Sequence, residues 1–175
     1  MLRLTMATNL FTFVELFARV LDTATHILAK GAEHARAQGI AESDFLNWRL
    51  IDDMRPLSFQ LSVVCDFARQ WPARAAGLPV PADIDVPSDV ATFQRTLAEA
   101  KAYVAQLTSE QFEGRDEVPV TYAIATGGLT PTLPAARWIT VFATTNLYFH
   151  LSTAYAILRS HGVPIGKVDL FPTGL

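Results

Sequence analysis

"RWITVFATTNLYFHLSTAYAILR", residues 137–159, holds 21 consecutive residues between two arginines without a Lys, Arg, Asp or Glu. About 20 apolar residues suffice to cross a bilayer, so the stretch reads as a membrane span or as a core helix. Its polar content decides. Thr140, Thr144, Thr145, Asn146, His150, Ser152 and Thr153 make seven of the 21 residues polar. An amide and an imidazole at the bilayer midplane would each be costly without a partner. No second comparable segment exists, so a span would stand alone. The stretch is read as a bundle helix buried on more than one face. It is expected to start near Pro134, a residue suited to the first helical position, and to end at His161 with Gly162 following.

Within this helix Asn146, His150, Thr153 and Ile157 recur at spacings of four, three and four, and Ile139 and Phe142 extend the stripe. Asn146 and His150 therefore project from one otherwise apolar face, while Leu147, Phe149, Leu151, Ala154 and Leu158 cover the others. An unsatisfied buried polar group costs on the order of 1–3 kcal/mol, so partners are required. Asp53 and Gln60, polar at inward positions of the second long helix, are the candidates. Three arrangements follow from these residue types, and a shifted helix phase would instead place them on the surface. His150 bonded to Asp53 or Gln60 would fix helix register. Asp53 and His150, with Asn146, would offer ligands to a divalent metal, although Asn is a poor ligand and zinc sites generally want three strong ones. His150, Tyr148 or Tyr155 and Asp53 would line a small-molecule pocket.

The remaining helices follow from periodicity. Leu10, Phe13, Val14, Phe17, Leu21, Ala24, Ile27 and Leu28 mark one face of a helix from about Met6 to Gln38, with Gly39 as its cap. "AESDFLNWRL" suggests a short helix capped by Ser43. The second long helix is expected over Asp52–Trp71, with Pro56 tolerated early and Pro72 ending it; its inward stripe reads Asp53, Leu57, Gln60, Val64, Phe67 and Trp71. After the Pro-rich "GLPVPADIDVPS", Ser88 or Asp89 caps a third helix to about Leu107, facing Phe93, Leu97, Ala100 and Val104 inward. "TSEQFEG" reads as one helical turn. Alternating Val118, Val120, Tyr122 and Ile124, with Gly127-Gly128 as a turn, predict a small β-hairpin before the last helix. The tail is expected to be non-helical and to dock through Ile165, Leu170 and Phe171.

At 175 residues the chain is expected to be one domain, 1–175. Half the residues are hydrophobic and 18% are charged, which fits a heavily buried protein. A net charge of −3 without a basic run argues against a nucleic-acid backbone as partner. Cys65 is the only cysteine, within the apolar "QLSVVCDFA", so it reads as a small buried hydrophobe in a reducing compartment. The amino terminus lacks the features of a signal peptide, and a cytoplasmic location is expected. No Cys/His zinc spacing, glycine-rich phosphate loop or nucleophile pattern appears.

"LIDDMRPLSFQLSVVCDFAR" and "NLYFHLSTAYAILRSHGVPIGKVDL", joined through a Pro-rich connection, resemble a domain-of-unknown-function branch of the DinB/YfiT-like four-helix bundles. The similarity spans essentially the whole chain and is strongest at Asp53-Met54, Pro56-Leu57, Cys65-Asp66, Tyr148-Phe149-His150, Thr153-Ala154-Tyr155 and Gly162 to Lys167. It implies an all-α bundle with long crossover connections. The wider superfamily implies a divalent-metal site of three histidines, one on the second helix and a His-x3-His pair on the last, used by thiol S-transferases and related enzymes. Here that pair reads Asn146 and His150, and Asp53 is the nearest ligand on the second helix.

The expectation is a homodimeric, bacterial-type bundle that binds a small ligand in a polar pocket of Asp53, Gln60, Asn146 and His150. No cofactor is expected. The alternatives are a degenerate transferase holding zinc or nickel on Asp53 and His150, and a homodimeric interaction scaffold.

Overall fold

The computed structural model describes residues 9–124 and 128–174. The first helix, α1, runs from Leu10 to Ala37. Asn9 caps it by accepting from the Phe11 N–H at 3.1 Å, and the expected start at Met6 lies outside the described residues. Gly39, at φ +71°, takes the left-handed turn that ends it. Its expected stripe is buried along the helix, Phe17, Leu21, Ala24, Ile27 and Leu28 fully so, with Phe13 partly covered.

A short helix, α2, spans Glu42–Leu46. Ser43 does not cap it: Ala41 stands at the cap without a side-chain bond, and Ser43 lies inside the first turn. The next helix, α3, covers Leu57–Ala76 and corrects the expected Asp52–Trp71 at both ends. Pro56 occupies the cap and disfavours helical backbone at Arg55, leaving Asp52 and Asp53 in an exposed turn. Pro72 does not stop the helix. It forfeits one backbone hydrogen bond, but Trp71, Pro72, Ala73 and Ala75 are all buried, and the helix continues to Gly77 at φ +74°.

Helix α4 runs Val90–Val104. Asp89 caps it, accepting from the Thr92 N–H at 2.7 Å and the Thr92 hydroxyl at 2.9 Å, and Phe93, Leu97, Ala100 and Val104 face inward. A 3-10 turn follows at Ser109–Phe112. The hairpin pairs β1, Pro119–Thr121, with β2, Thr132–Pro134, antiparallel in the register Val120 opposite Leu133. Gly127 of its expected turn lies outside the described residues.

One continuous helical run then spans Ala135 to Ser160. It consists of α5, Ala135–Arg137, a π-helical segment, Trp138–Ala143, and α6, Thr144–Ser160. Pro134 stands at the cap, one position earlier than expected. The π segment meets an aromatic cluster. Trp138 stacks on Trp71 at 5.0 Å and meets Phe142 edge-on at 5.2 Å, and its indole N–H donates to the Val120 carbonyl at 2.8 Å, tying the hairpin to the helix.

Helices α1, α3, α4 and the run ending in α6 pack around one hydrophobic cluster, so the described chain is mostly helical with a two-stranded hairpin. Helix α1 approaches α6 closely at Gly31. A β-carbon there would sit 2.6 Å from Leu158 Cδ2 and 3.0 Å from Phe45 Cε2, so glycine sets the helix spacing. Among the described residues no helix is long and apolar enough to cross a membrane.

The tail docks through Ile165, but Phe171 is 45% exposed, and Lys167–Leu170 form a 3-10 turn where no helix was expected. Its anchor is Asp169. That carboxylate accepts from Lys30 Nζ and lies by His26 Nε2, each at 2.8 Å, and accepts from the Gly166 N–H at 2.7 Å. These partners, Lys30 foremost, hold its carboxyl well below the usual carboxylate range.

Candidate functional site

Helices α3 and α6 pack against each other along much of their length, and this seam brings two of the four expected site residues together. Gln60 is 3% exposed on α3, and His150 is half-buried on α6. Their Gln60 Oε1 and His150 Nδ1 atoms lie 2.7 Å apart. The amide's other end donates from Nε2 to the Arg55 carbonyl at 3.0 Å. A carbonyl only accepts, so this bond turns the Gln60 oxygen toward the ring, and His150 must carry its proton on Nδ1. Its Nε2 is then an unprotonated acceptor.

Burial supports that assignment by pushing the His150 pKa down to about 4, so the ring is neutral at pH 7. No partner for Nε2 occurs among the described residues. The buried side-chain atoms lacking one there are Arg69 Nε and Arg74 Nε, so His150 Nε2 reaches solvent. Phe59 and Phe149 meet the imidazole edge-on at 6.1 and 5.1 Å, and the Arg55 guanidinium lies 5.2 Å from the Phe59 ring centre. The seam therefore presents a fixed acceptor beside apolar rings, with a cation nearby. Phe59 lies off the inward stripe of α3 and Arg55 precedes the helix, so periodicity singles out neither.

The other two expected residues stand apart. Asp53 occupies the exposed turn before α3, and His150 bonds Gln60 instead. Asn146 donates from Nδ2 to the Phe142 carbonyl at 2.8 Å, back-bonding within its own helix at the end of the π segment. Phe149, expected to be covered, is 58% exposed.

The three-histidine metal site implied by resemblance can be tested on this donor set. Asp53 lies in the exposed turn, the Asn146 amide is bonded to its own helix, and His150 is one imidazole with a free nitrogen. Among the described residues no three His, Cys, Asp or Glu side chains come together to hold an ion. The residues present do not fit that group. Cys65 is fully buried beside the seam's helix core, and burial raises its thiol to about 12, so it supplies no thiolate.

The profile of the DUF1993 family, a domain of unknown function, matches residues 11–171. The chain belongs to the DUF1993 family. No curated protein matches it. A solved structure of a DinB family member protein from Shewanella denitrificans superposes with a TM-score of 0.83 at 27% identity, covering 92% of this chain and 90% of that one. The DUF1993 chain is thus DinB-like in fold. Its Gln60–His150 pair falls within the matched residues.

Proposed function

We propose that this DUF1993 protein is a DinB/YfiT-like four-helix bundle, a single domain over 1–175, that binds a small hydroxyl- or N–H-bearing molecule at the α3–α6 seam. It does so without a catalytic step. The observation behind this reading is the relay from the Arg55 carbonyl through Gln60 to His150, which leaves Nε2 as an unprotonated acceptor open to solvent. Phe59 and Phe149 favour an apolar, aromatic body on the ligand. A degenerate metal-dependent transferase on Asp53 and His150 is disfavoured, because Asp53 bears no relation to the relay.

Nitrogen NMR of the histidines with phenol as probe tests the proposal. At pH 7 His150 is expected as the Nδ1–H tautomer, and phenol should move its Nε2 resonance in a saturable way, with no such response in His150→Gln. An Nε2–H tautomer, or an unmoved resonance up to about 10 mM phenol, near the weak end of specific binding, would overturn it.

A homodimer is a second reading. Val141, Tyr148 and Phe149 are 56%, 42% and 58% exposed on one helical run, and residues 138–158 carry no Lys, Arg, Asp or Glu. Such an uncharged stripe is self-complementary across a two-fold axis. Sedimentation at micromolar concentration should give a dimer that Phe149→Glu converts to monomer. A monomeric wild type sinks this reading.

A further inference from the structure

A cleft lies on another face of the last helix, away from Gln60 and His150. It encloses about 290 Å³ between α1, α6 and the carboxy-terminal strap, residues 170–174. Leu16, Val20, Leu151, Leu170 and Phe171 supply apolar walls, and among the described residues Arg19 is the only charged one lining it. The strap is anchored where it begins, at Asp169 and Leu170. Thr23 Oγ1 lies 3.1 Å from both the Leu170 and the Arg19 carbonyls and shares its one proton between them, and the preceding Asp169 is held by Lys30 and His26. An apolar hollow with one cation at its edge suits a ligand with an apolar body and one negative end.

We propose that this cleft binds a free medium-chain monocarboxylate, its hydrocarbon between α1, α6 and the strap and its carboxylate on Arg19. The size follows from the volume. At roughly 30 Å³ per small heavy-atom group, water's share of its liquid, 290 Å³ holds about ten non-hydrogen atoms, the number in octanoate. Arginine suits the charged end, because its planar fork matches a carboxylate with two parallel hydrogen bonds. Arg19 itself is exposed while lining the cleft, which suits an ion pair at the mouth with the chain inside. Among the described residues no acidic side chain lines the cleft to repel the anion.

Calorimetric titration of the full chain with sodium octanoate at pH 7 tests the assignment. Submillimolar binding is expected, the range about ten atoms reach at ordinary ligand efficiency. Arg19→Gln should weaken it about tenfold, as loss of a charge-assisted hydrogen bond does, and 1-octanol should bind the wild type about tenfold more weakly than octanoate for the same reason. Ser152 is an exposed residue lining the cleft, so Ser152→Trp should abolish binding while leaving the circular dichroism melt intact. Absence of wild-type binding overturns the proposal, as does equal affinity for octanol, equal affinity in Arg19→Gln, or binding that survives Ser152→Trp.

Discussion

Trp71→Ala is expected to lower the unfolding free energy by about 3–5 kcal/mol. Trp71 is 2% exposed and central to the cluster at the hairpin end of the bundle. Its ring stacks on Trp138 at 5.0 Å with planes 24° apart, and meets Tyr122 at 5.0 Å and Phe142 at 5.3 Å edge-on. A tryptophan of this burial removes roughly 200 Å² from water, about 5 kcal/mol at 25 cal/mol per Å² before any relaxation. The Arg74 guanidinium, 5.6 Å from the Trp71 ring centre and 5.0 Å from that of Tyr122, loses one of its two aromatic partners as well. Collapse cannot refill the space cheaply, because Trp138 is fixed by its bond to the Val120 carbonyl. Urea denaturation gives the measurement, with Phe149→Ala as control. Phe149 is 58% exposed, and its loss should cost within about 0.5 kcal/mol in a monomer. A Trp71→Ala cost under about 1 kcal/mol would mean that the cluster does not hold the hairpin to the bundle.

Much of this architecture is legible in the sequence because long amphipathic helices repeat their signal many times. The α1 stripe from Leu10 to Leu28 needs no tertiary information, and Asp89 announces α4 through an ordinary capping bond. Proline is where local reading fails, in opposite senses. Pro56 fixes the start of α3 by restricting Arg55, so Asp53 never joins the helical stripe and the expected acid leaves the site. Pro72 is overruled by burial on both sides of it, a tertiary effect that the sequence does not display. Gln60 and His150 lie inside α3 and α6, and their bond crosses 90 residues of sequence. The π segment has no periodic marker, so the back-bonding of Asn146 to Phe142 stays hidden. The Asp169–His26 pairing spans 143 residues and joins a tail to the middle of a helix, with no pattern on either side to connect them.

Between pH 6.5 and about 4 the wild type should lose about 1–2 kcal/mol of stability that His150→Gln retains. Burial holds the folded-state ring down to about 4, against 6.5 in the unfolded chain. Above pH 6.5 the ring is neutral in both states, and the relay to Gln60 is intact. As pH falls below 6.5 the unfolded chain takes up a proton that the folded ring refuses, so acid favours unfolding. Below about 4 both states are protonated and this group adds no further loss. At 1.36 kcal/mol per pH unit the gap sets a ceiling of roughly 3 kcal/mol. Water reaching the half-buried ring screens part of that, leaving the smaller figure. Asp66 works in the opposite sense, since burial raises its carboxyl and lets the folded state take up a proton early; the difference between wild type and variant removes that contribution. Glutamine at 150 keeps a donor for Gln60 Oε1 without titrating, so the comparison isolates the imidazole's charge from its hydrogen bond. Parallel stability curves for the two proteins from pH 7 to 4 would mean that His150 is solvated in both protonation states. The neutral acceptor at the α3–α6 seam, and the ligand site built on it, would go with that result.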